Sequence, residues 1–333
     1  MPMFSIILAT RDRPELFGVA LDSVVAQTTS DVEVIVVNDG SGETYLPAYE
    51  LALGRARAVL GDRLKHHYLV HRPNGHGQSY SLNFGVAHAT GEYVGFLDDD
   101  DEWVDEGHLA RAALVIAKAG ETGAGADLYM ANQHAYQAGV KLDGPVWLEG
   151  LEAELLARGR QPAADGSFQV GITDLMQTNG FCHLNCFIVR RSLYDRIGGM
   201  DEGIRWECDR DVYLRLIDDS ALTLHHPAVV SRHNVPDPAK ATSMTTSLNQ
   251  IQRRLYQLRV LDKAALFAKD PLIRAHGRLH KAHALKKIAS DLAESGSWRN
   301  ALYYAAQALG AGPTLKWFGF TSLCAVKSLF SEK

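Results

Sequence analysis

Short apolar segments alternate with helical patterns through the first hundred residues, and this alternation limits the folds that the chain can adopt. Segments 4–9, 32–37 and 93–97 are predominantly apolar, and a weaker segment of this kind spans residues 67–70. Strands buried on both faces lose the polar alternation that half-exposed strands show. The sequence therefore predicts an α/β fold in which helices cover both faces of a parallel sheet.

Helices are predicted between these strands from apolar residues at helical spacing. The first would begin after Asp12, a suitable N-cap, because Pro14 fits the first turn and Glu15 stands three residues after the cap. The next two are expected at residues 44–60 and 79–89, and a fourth is expected to begin near Val104. Ligands of such sheets bind beyond the carboxyl ends of the strands, so the residues that follow each strand are candidate site residues.

Composition places the chain among soluble globular proteins, since 46% of its 333 residues are hydrophobic and 22% are charged. These values exclude a chain that is disordered throughout. No apolar segment approaches the roughly 18 residues of a membrane-spanning helix, and the apolar start is too short for a secretory signal. The four cysteines form no dense disulfide framework. We therefore expect reduced thiols in a cytoplasmic protein.

Charge divides the chain unevenly. The net charge is −5, yet residues 239–290 carry eleven Lys and Arg against two Asp, a local balance of +9. An acidic body with a basic helical region predicts two units with different tasks. The basic region has two interpretations: a solvated helix face, or contact with anionic lipid headgroups or a lipid-linked phosphate. Nucleic acid is not expected as a partner, because no nucleic-acid-binding motif is recognised.

The strand at residues 93–97 leads directly into four consecutive carboxylates, at residues 98–101. Carboxylates this close repel one another strongly unless a cation lies among them. Hard oxygen ligands suit Mg²⁺ or Mn²⁺, usually together with the phosphates of a substrate. A solvated acidic turn is the alternative interpretation. The position after a buried strand, with Asp39 at another strand end, favours a metal site.

Four segments, in order, resemble those of the family-2 glycosyltransferases, which have the GT-A fold: a Rossmann-like, nucleotide-sugar-binding mixed sheet flanked by helices. They are SIILATRDRP at residues 5–14, VVNDGS at 36–41, GEYVGFLDDDDEW at 91–103, and VRRSLYDRIGGMDE at 189–202 continued by ECDRDVYLRL at 207–216. The resemblance covers roughly residues 3–235. It implies transfer of a sugar from a nucleotide diphosphate sugar to an acceptor, with inversion at the anomeric carbon and Mn²⁺ or Mg²⁺ as the cofactor.

The resemblance also implies roles for individual residues. The nucleotide would be bound by strand-end residues and by the acidic segment, namely Ala9, Thr10, Arg11, Asp39, Arg72, Asp98 and Asp99. Asp98 and Asp100 match the family's DxD motif, and the metal ligands would be Asp98, Asp100 and His233. Asp209 lies at the position of the family's general base, which takes the proton of the acceptor hydroxyl. Asp211 is the competing candidate for that role.

The acceptor side is less well defined. We expect Asn179, His183 and Trp206 to contact the acceptor, because the segment that contains the first two precedes the strand leading to Asp209. Trp206 has a second interpretation, as a residue that packs beside the helix of the base. His233 likewise has a second interpretation, as an ordinary loop histidine.

One departure from the family pattern affects the diphosphate. The family often has Arg-Asn-x-Gly before its fourth strand, where this chain has Leu82 in place of Arg. Arg11 or Arg72 could supply a cation for the diphosphate instead, and the alternative interpretation is that each is simply exposed.

The predicted domain boundary lies where the strand signals stop. Residues 1–238 would form the GT-A domain, with a nucleotide-binding half at 1–103 and an acceptor and catalytic half at 104–238. Residues 239–333 would be an α-helical region, with helices at 247–267, 276–294 and 300–309 and an amphipathic tail at 315–329. We expect this tail either to lie on a membrane surface or to pack against its own helices or a second subunit.

The sequence therefore predicts an inverting, metal-dependent glycosyltransferase of the cytoplasm, in peripheral contact with the inner face of the membrane if the helical region binds lipid. We expect the donor to be a UDP-sugar, with dTDP- and GDP-sugars as alternatives. We expect the acceptor to be a saccharide or a lipid-linked molecule that is used in the synthesis of a polysaccharide or cell-surface glycan. Two other functions remain open at this point: a nucleotidyltransferase that makes the sugar nucleotide, and a non-catalytic scaffold that binds it.

Overall fold

The computed structural model describes residues 2–123, 125–144, 147–178, 180–235 and 248–330. The chain divides into two compact units, Met1–Asp237 and Pro238–Lys333. The first unit contains a mixed sheet flanked by helices, and the second unit is helical. None of the helices in these described ranges combines the length and the apolarity that crossing a bilayer requires.

The first unit is built from strands and helices that alternate along most of its length. Its strands are β1 (Phe4–Thr10), β2 (Val32–Asn38), β3 (Leu64–Tyr68), β4 (Tyr93–Phe96), β5 (Glu102–Trp103), β6 (Leu128–Gln137), β7 (Val140–Lys141), β8 (Phe168–Val170), β9 (Phe187–Arg190) and β10 (Thr223–Asn234). Its helices are α1 (Pro14–Val25), α2 (Leu46–Leu60), α3 (Gln78–Ala87), α4 (His108–Thr122), α5 (Leu151–Ala157), α6 (Ile172–Gln177), α7 (Arg191–Arg196) and α8 (Cys208–Asp219).

The described strands pair in the order β3-β2-β1-β4-β9-β6-β10-β5, with β7 added to β6 and β8 to β10. Neighbours among β1 to β4 are parallel, whereas β9 is antiparallel to both β4 and β6. The predicted α/β class is confirmed, although the parallel arrangement holds only for part of the sheet. The register aligns Thr10 with Asn38, so the carboxyl ends of β1 and β2 lie at one edge.

Two predicted boundaries are wrong. Strand β3 occupies Leu64–Tyr68 rather than residues 67–70, because pairing with β2 sets its bounds and the apolar Val70 beyond it is 79% exposed. Helix α4 begins at His108 instead of near Val104. The N–H of Val104 donates to the carbonyl of Val230 at 2.9 Å, which keeps the chain extended beside β10 after β5.

The predicted N-cap of α1 is also wrong. Arg13 occupies the cap position, whereas Asp12 has a φ of 54°. The Asp12 carboxylate accepts a hydrogen bond from the N–H of Gly42 at 2.8 Å, and the Asp12 N–H donates to the hydroxyl of Ser41 at 2.9 Å. Asp12 therefore ties the end of β1 to the turn after β2 instead of capping the helix.

Strand β10 brings the second half of the unit back to the acidic segment. It runs parallel to β6 and antiparallel to β5, the two-residue strand that directly follows residues 98–101. Ser231 on β10 is aligned with Trp103 on β5. The last residues of β10 therefore come beside the acidic segment.

The second unit contains α9 (Gln250–Phe267), α10 (Pro271–Glu294), α11 (Trp298–Ala311) and α12 (Leu315–Phe330). Residue 247, the predicted start of the first of these helices, lies outside the described residues. Helix α10 begins at Pro271 rather than at residue 276, because the Asp270 carboxylate accepts from the N–H of Leu272 at 2.7 Å and caps it. Helices α10, α11 and α12 share a core of small residues: Ala289, Ala293, Ala301, Ala305 and Cys324.

The packing of α3 on the sheet can be tested at Gly85. A Cβ there would overlap with Cγ2 of Ile7 and lie 3.4 Å from Cγ2 of Val37, and both of these side chains are buried. We expect Gly85→Ala to lower the free energy of unfolding by about 1–3 kcal/mol, measured by urea denaturation. Gly54→Ala on α2 is the matched control, because its Cβ meets nothing within 4 Å; it should raise stability by up to about 1 kcal/mol. Equal effects of the two substitutions would contradict this packing.

Candidate active site

The carboxyl ends of β1 and β2 form the first part of the site. The N–H of Asp39 donates to the carbonyl of Thr10 at 2.9 Å, and the Thr10 hydroxyl lies 2.8 Å from the hydroxyl of Tyr49 on α2. Ala9 is half-buried one residue earlier on β1. The structure therefore brings together three residues that were predicted to contact a nucleotide.

The Asp39 carboxylate is enclosed by the turn at residues 74–77. It accepts hydrogen bonds from the N–H groups of His76 and Gly77, at 2.8 and 3.0 Å, and lies 2.7 Å from Nδ1 of the His76 ring. Gly75 has a φ of 63°, and a Cβ there would overlap with both Arg11 and Asp39. Only glycine allows the turn to approach so closely. Both oxygen atoms of Asp39 are thus hydrogen-bonded within the chain.

Arg11 and Arg72 lie beside this turn. Nη2 of Arg11 donates to the carbonyls of Arg72 and Pro73, at 2.7 and 3.2 Å, while the side chain of Arg72 is exposed. Among the described residues, the guanidinium group that pairs with the acidic segment comes from Arg13 instead.

The acidic segment alternates between two environments. The side chains of Asp98 and Asp100 are 17% and 24% exposed, whereas those of Asp99 and Asp101 are 2% and 0% exposed. Burial raises the pKa of Asp98 well above its ordinary value, and the charges of Asp101 and Asp100 raise it further. Two carboxylates are therefore accessible to a ligand, and the other two belong to the interior.

Arg13 is the internal counter-ion of this segment. It forms ion pairs with Asp99 and with Asp100, the latter at 2.8 Å. Burial raises the pKa of Asp99 to about 7, although the charge of Arg13 opposes this shift. Burial lowers the pKa of Arg13, but the neighbouring carboxylates outweigh it and raise that pKa above its usual value. The charges of Arg13 and Asp99 thus stabilise one another in the interior.

Asp101 anchors β10 to the acidic segment. Its carboxylate accepts from the N–H of Asn234 at 2.7 Å and from the side-chain amide of Asn185 at 2.6 Å, and it lies 2.7 Å from Nδ1 of His233. Burial lowers the pKa of His233, but the hydrogen bond and charge of Asp101 raise it, to about 9. Because Nδ1 faces Asp101, Nε2 of His233 is the ring nitrogen that could bind a ligand once its proton is lost, as in sites where a carboxylate orients a metal-binding histidine.

Asp209 lies in the first turn of α8, where the helix N-terminus favours an ionised carboxylate. The carboxylate accepts from the N–H of Arg210 at 2.8 Å and lies 3.5 Å from Nε2 of His183. Burial nevertheless raises the pKa of Asp209. Glu207, just before the helix, has a φ of 58°, a conformation that costs a non-glycine residue about 1 kcal/mol. A half-buried carboxylate with a raised pKa is suited to accept a proton from a hydroxyl group.

His183 connects Asp209 with the acidic segment. Its Nε2 lies 3.5 Å from Asp209 and 3.9 Å from Asp98, while its Nδ1 accepts from the N–H of Asn185 at 3.4 Å. The hydrogen bond at Nδ1 assigns the ring proton to Nε2, which faces the two carboxylates. Burial lowers the pKa of His183 well below its ordinary value, and nearby His233 adds to this, so the neutral form of the ring is favoured.

Asp211, the competing candidate for the base, is held elsewhere. It is buried and forms an ion pair with Arg215 at 2.5 Å. The same guanidinium donates to the carbonyls of Ile197 and Gly199, at 2.9 and 2.6 Å. Asp211 is therefore part of the packing between α7 and α8, and the geometry favours Asp209.

The remaining acceptor residues are less informative. Trp206 is half-buried three residues before Asp209. Asn179 lies outside the described residues. A second tryptophan, which sequence reasoning missed, lies in the site: the ring of Trp147 makes edge contacts with His183 and His233, at centroid distances of 5.7 and 5.1 Å. No local pattern marks Trp147, because the fold alone brings its loop to the site.

Sequence reasoning also missed two amides that position Asp98. The side chain of Gln78, at the start of α3, donates to the Asp98 carboxylate at 2.5 Å. The carbonyl oxygen of the Asn185 side chain accepts from the Asp98 N–H at 2.9 Å. The place of Asn185 just before β9 is the signal that marks a position at the sheet edge.

Two overlapping groups of side chains are arranged to hold a metal ion. One consists of Asp98, Asp100 and Asp101, and the other of Asp101, His183 and His233; within each group the ligand atoms lie within 4.8 Å of one another. The predicted ligands Asp98, Asp100 and His233 are distributed over these two groups. Carboxylate oxygens fit Mg²⁺ or Mn²⁺, so the residues present fit the predicted cofactor.

The family model and the relatives that this chain matches are all described as glycosyltransferases. The family model described as "Glycosyl transferase family 2" matches residues 5–198. A Mycobacterium bovis protein named "PGL/p-HBAD biosynthesis glycosyltransferase" is 28% identical over 229 residues, which are 69% of this chain and 75% of that protein. A Rickettsia typhi protein named as an uncharacterized glycosyltransferase is 24% identical over 265 residues, covering 75% and 69%.

Solved structures resemble this chain in fold. The structure of S. aureus TarS 1-349 in complex with UDP-GlcNAc has a TM-score of 0.64 at 16% identity, covering 94% of this chain and 82% of that chain. A mannosyltransferase from Pyrobaculum calidifontis in complex with GDP-Man and Mn²⁺ has a TM-score of 0.59 at 19% identity, covering 100% and 88%. These GT-A-like neighbours confirm the predicted fold class.

The role of Arg13 as a counter-ion can be tested by stability. In Arg13→Gln the buried carboxylate of Asp99 loses its partner, so we expect the free energy of unfolding at pH 8 to fall by about 2 kcal/mol. The loss should be smaller at pH 6, below the pKa of about 7 of Asp99, because a protonated carboxyl needs no counter-ion. Urea denaturation at the two pH values measures both effects.

Arg55→Gln is the matched control for that measurement. Arg55 pairs with Asp22 at 2.9 Å, but both side chains are about half exposed, so the loss should be about 0–1 kcal/mol at either pH. A loss from Arg13→Gln that is equally small, or that does not change with pH, would contradict the assignment.

Proposed function

The chain belongs to glycosyl transferase family 2, and on that basis we propose that it transfers a sugar from a nucleotide diphosphate sugar to a saccharide or lipid-linked acceptor, with inversion at the anomeric carbon. The observation that supports this most is the place of His183. Its Nε2 lies 3.5 Å from Asp209 and 3.9 Å from Asp98, so a candidate base and a candidate donor-binding carboxylate face one another across one side chain.

Asp209 is proposed as the general base. Inversion requires a group that takes the proton of the acceptor hydroxyl on the face opposite the leaving group. The raised pKa that burial gives Asp209 makes its carboxylate a stronger base. The Nε2–H of His183 points toward this carboxylate and orients it without adding a charge of its own.

The nucleotide is proposed to bind along the ends of β1, β2 and β4. The base would contact Thr10 and Asp39, with Ala9, Arg11 and Arg72 beside it, and the ribose would lie at Asp98 and Asp99. A UDP-sugar is the first expectation, and the TarS complex with UDP-GlcNAc supports it. The mannosyltransferase complex with GDP-Man keeps a GDP-sugar open, and a dTDP-sugar remains a further alternative.

Asp98, Asp100 and His233 are proposed to hold Mn²⁺ or Mg²⁺. When bound there, such a cation neutralises negative charge that develops on a leaving diphosphate. Arg13 already holds Asp100 at 2.8 Å in this structure, so it keeps that carboxylate on the site side of the segment. The neighbour solved with Mn²⁺ supports Mn²⁺ as one of the two candidates.

We further propose that the enzyme works in the cytoplasm, at the inner face of the membrane, in the synthesis of a polysaccharide or cell-surface glycan. The mycobacterial relatives named for PGL/p-HBAD biosynthesis support a biosynthetic role. The acceptor would contact the side of the site formed by His183, Trp206 and position 179.

The donor site can be tested by calorimetric titration with UDP, dTDP and GDP, each with Mn²⁺ and then with EDTA. We expect one nucleotide to bind in the presence of Mn²⁺ and to lose most of its affinity in EDTA or in Asp100→Asn. Asp105→Asn is the matched control, because Asp105 lies two residues after β5 and pairs with Arg111 at 2.5 Å, so its loss should not alter binding. Equal affinity with and without metal would remove Asp100 as a ligand.

The base can be tested with Asp209→Asn. Loss of the proton acceptor should lower the transfer rate by about 10²- to 10⁴-fold, while nucleotide affinity stays close to that of the wild type. The exposed Asp195 supplies the control Asp195→Asn, which should leave the rate unchanged. Full activity of Asp209→Asn would contradict the assignment of Asp209 as the general base. A wild-type protein that binds nucleotide but never transfers sugar would favour the alternative function of a non-catalytic scaffold.

A further inference from the structure

Helix α12 is apolar on two opposite sides. Its inner side packs in the small-residue core of the second unit, through Trp317, Phe320 and Cys324. Nε1 of Trp317 donates to the carbonyl of Ala305 on α11 at 3.0 Å, which fixes that side of the helix against its neighbour. The inner side of α12 therefore packs against helices of its own unit.

The outer face of α12 is exposed and consists mostly of large apolar residues. Their exposed fractions range from 46% to 94%. They are Leu315, Phe318, Leu323, Val326, Leu329 and Phe330. At about 100° per residue, Leu315, Phe318, Val326 and Leu329 form one stripe that lies opposite Cys324 and is interrupted only by Ser322. Isolated exposed apolar residues need no explanation, but six large apolar side chains on one side of a single helix mark a binding surface.

The charged residues of α11 and α12 are all basic. Residues 298–330 contain Arg299, Lys316 and Lys327 and no acidic residue. Lys316 and Lys327 are both exposed, and their helical angles place them together along one flank of the outer face. Lys286 of α10 lies 5.7 Å from the ring of Trp317 and adds a further positive charge near the start of α12.

We infer that the outer face of α12 binds the surface of a membrane that contains anionic lipids. An interfacial helix buries its apolar side at the boundary of the headgroups and acyl chains, while lysines on its flank reach the anionic headgroups. Each such basic residue near the surface adds to the attraction. This inference deepens the proposed function, since a lipid-linked acceptor is found at such a surface.

A second copy of the chain fits the outer face less well. Pairing of two α12 helices would bring Lys316 and Lys327 of both copies to the rim of the contact. No acidic residue within 298–330 could pair with them. Like charges at a rim oppose association, whereas the same charges favour an anionic bilayer.

The test is sedimentation of the full chain with sucrose-loaded vesicles. One set of vesicles is made of phosphatidylcholine alone, and in the other about one lipid in three is phosphatidylglycerol. We expect binding to the anionic vesicles that weakens as salt is added. Phe318→Ser combined with Leu329→Ser should reduce that binding about tenfold or more, because both apolar contacts with the acyl boundary are removed. Both side chains are exposed, so the core of the unit is retained.

Leu266→Ser combined with Phe267→Ser is the matched control, because these residues are equally exposed at the end of α9; it should bind vesicles as the wild type does. Lys316→Glu combined with Lys327→Glu should weaken binding to anionic vesicles only. A wild type that stays in the supernatant with anionic vesicles would overturn the inference. So would a wild-type dimer, seen by light scattering, that Phe318→Ser with Leu329→Ser converts to a monomer.

Nucleotide affinity measured on the same variants separates this inference from the proposed function. Loss of vesicle binding with unchanged nucleotide affinity supports the role of α12. A chain that binds vesicles but no nucleotide would contradict the proposed function, whereas the inference that the outer face of α12 binds a membrane would still hold.

Discussion

Four adjacent carboxylates at the end of a buried strand impose the requirement that shapes the rest of the first unit. Their mutual repulsion must be balanced without water, because two of them are almost fully buried. The structure meets this with partners from four different elements: Arg13 before α1, Gln78 at the start of α3, Asn185 before β9, and His233 at the end of β10. The acidic segment therefore holds the two halves of the sheet together as well as forming the site.

The parts of the site that the sequence predicted are those set by local order along the chain. A buried strand followed at once by polar residues marks Thr10, Asp39 and Asp98, because the carboxyl ends of parallel strands meet at one edge. The alternation of Asp98 and Asp100 toward the site, with Asp99 and Asp101 inward, does not follow from strand geometry, because the N–H of Asp101 donates to the carbonyl of Asp98 at 3.2 Å and the acidic segment forms a turn. Asp209 is different, since it was identified only through a family resemblance.

The parts that sequence reasoning missed depend on contacts between distant segments. Sequence reasoning gave Arg13 no role, because which of two nearby arginines turns toward the acidic segment depends on the left-handed conformation of Asp12. Trp147 carries no signal of its own and enters the site by way of its loop. His183 was expected at the acceptor, and only its burial between Asp98 and Asp209 shows its contact with both carboxylates.

The enclosure of Asp39 by its own chain bears on how a nucleotide would be selected. If Asp39 is the base contact, an incoming base has to replace hydrogen bonds that His76 and Gly77 already supply. The observed affinity would then be the intrinsic affinity reduced by the fraction of molecules in which the turn is open. A base without a well-placed N–H donor could not replace these hydrogen bonds and would bind more weakly. The hydrogen bonds that Asp39 makes within the chain would therefore select against such ligands.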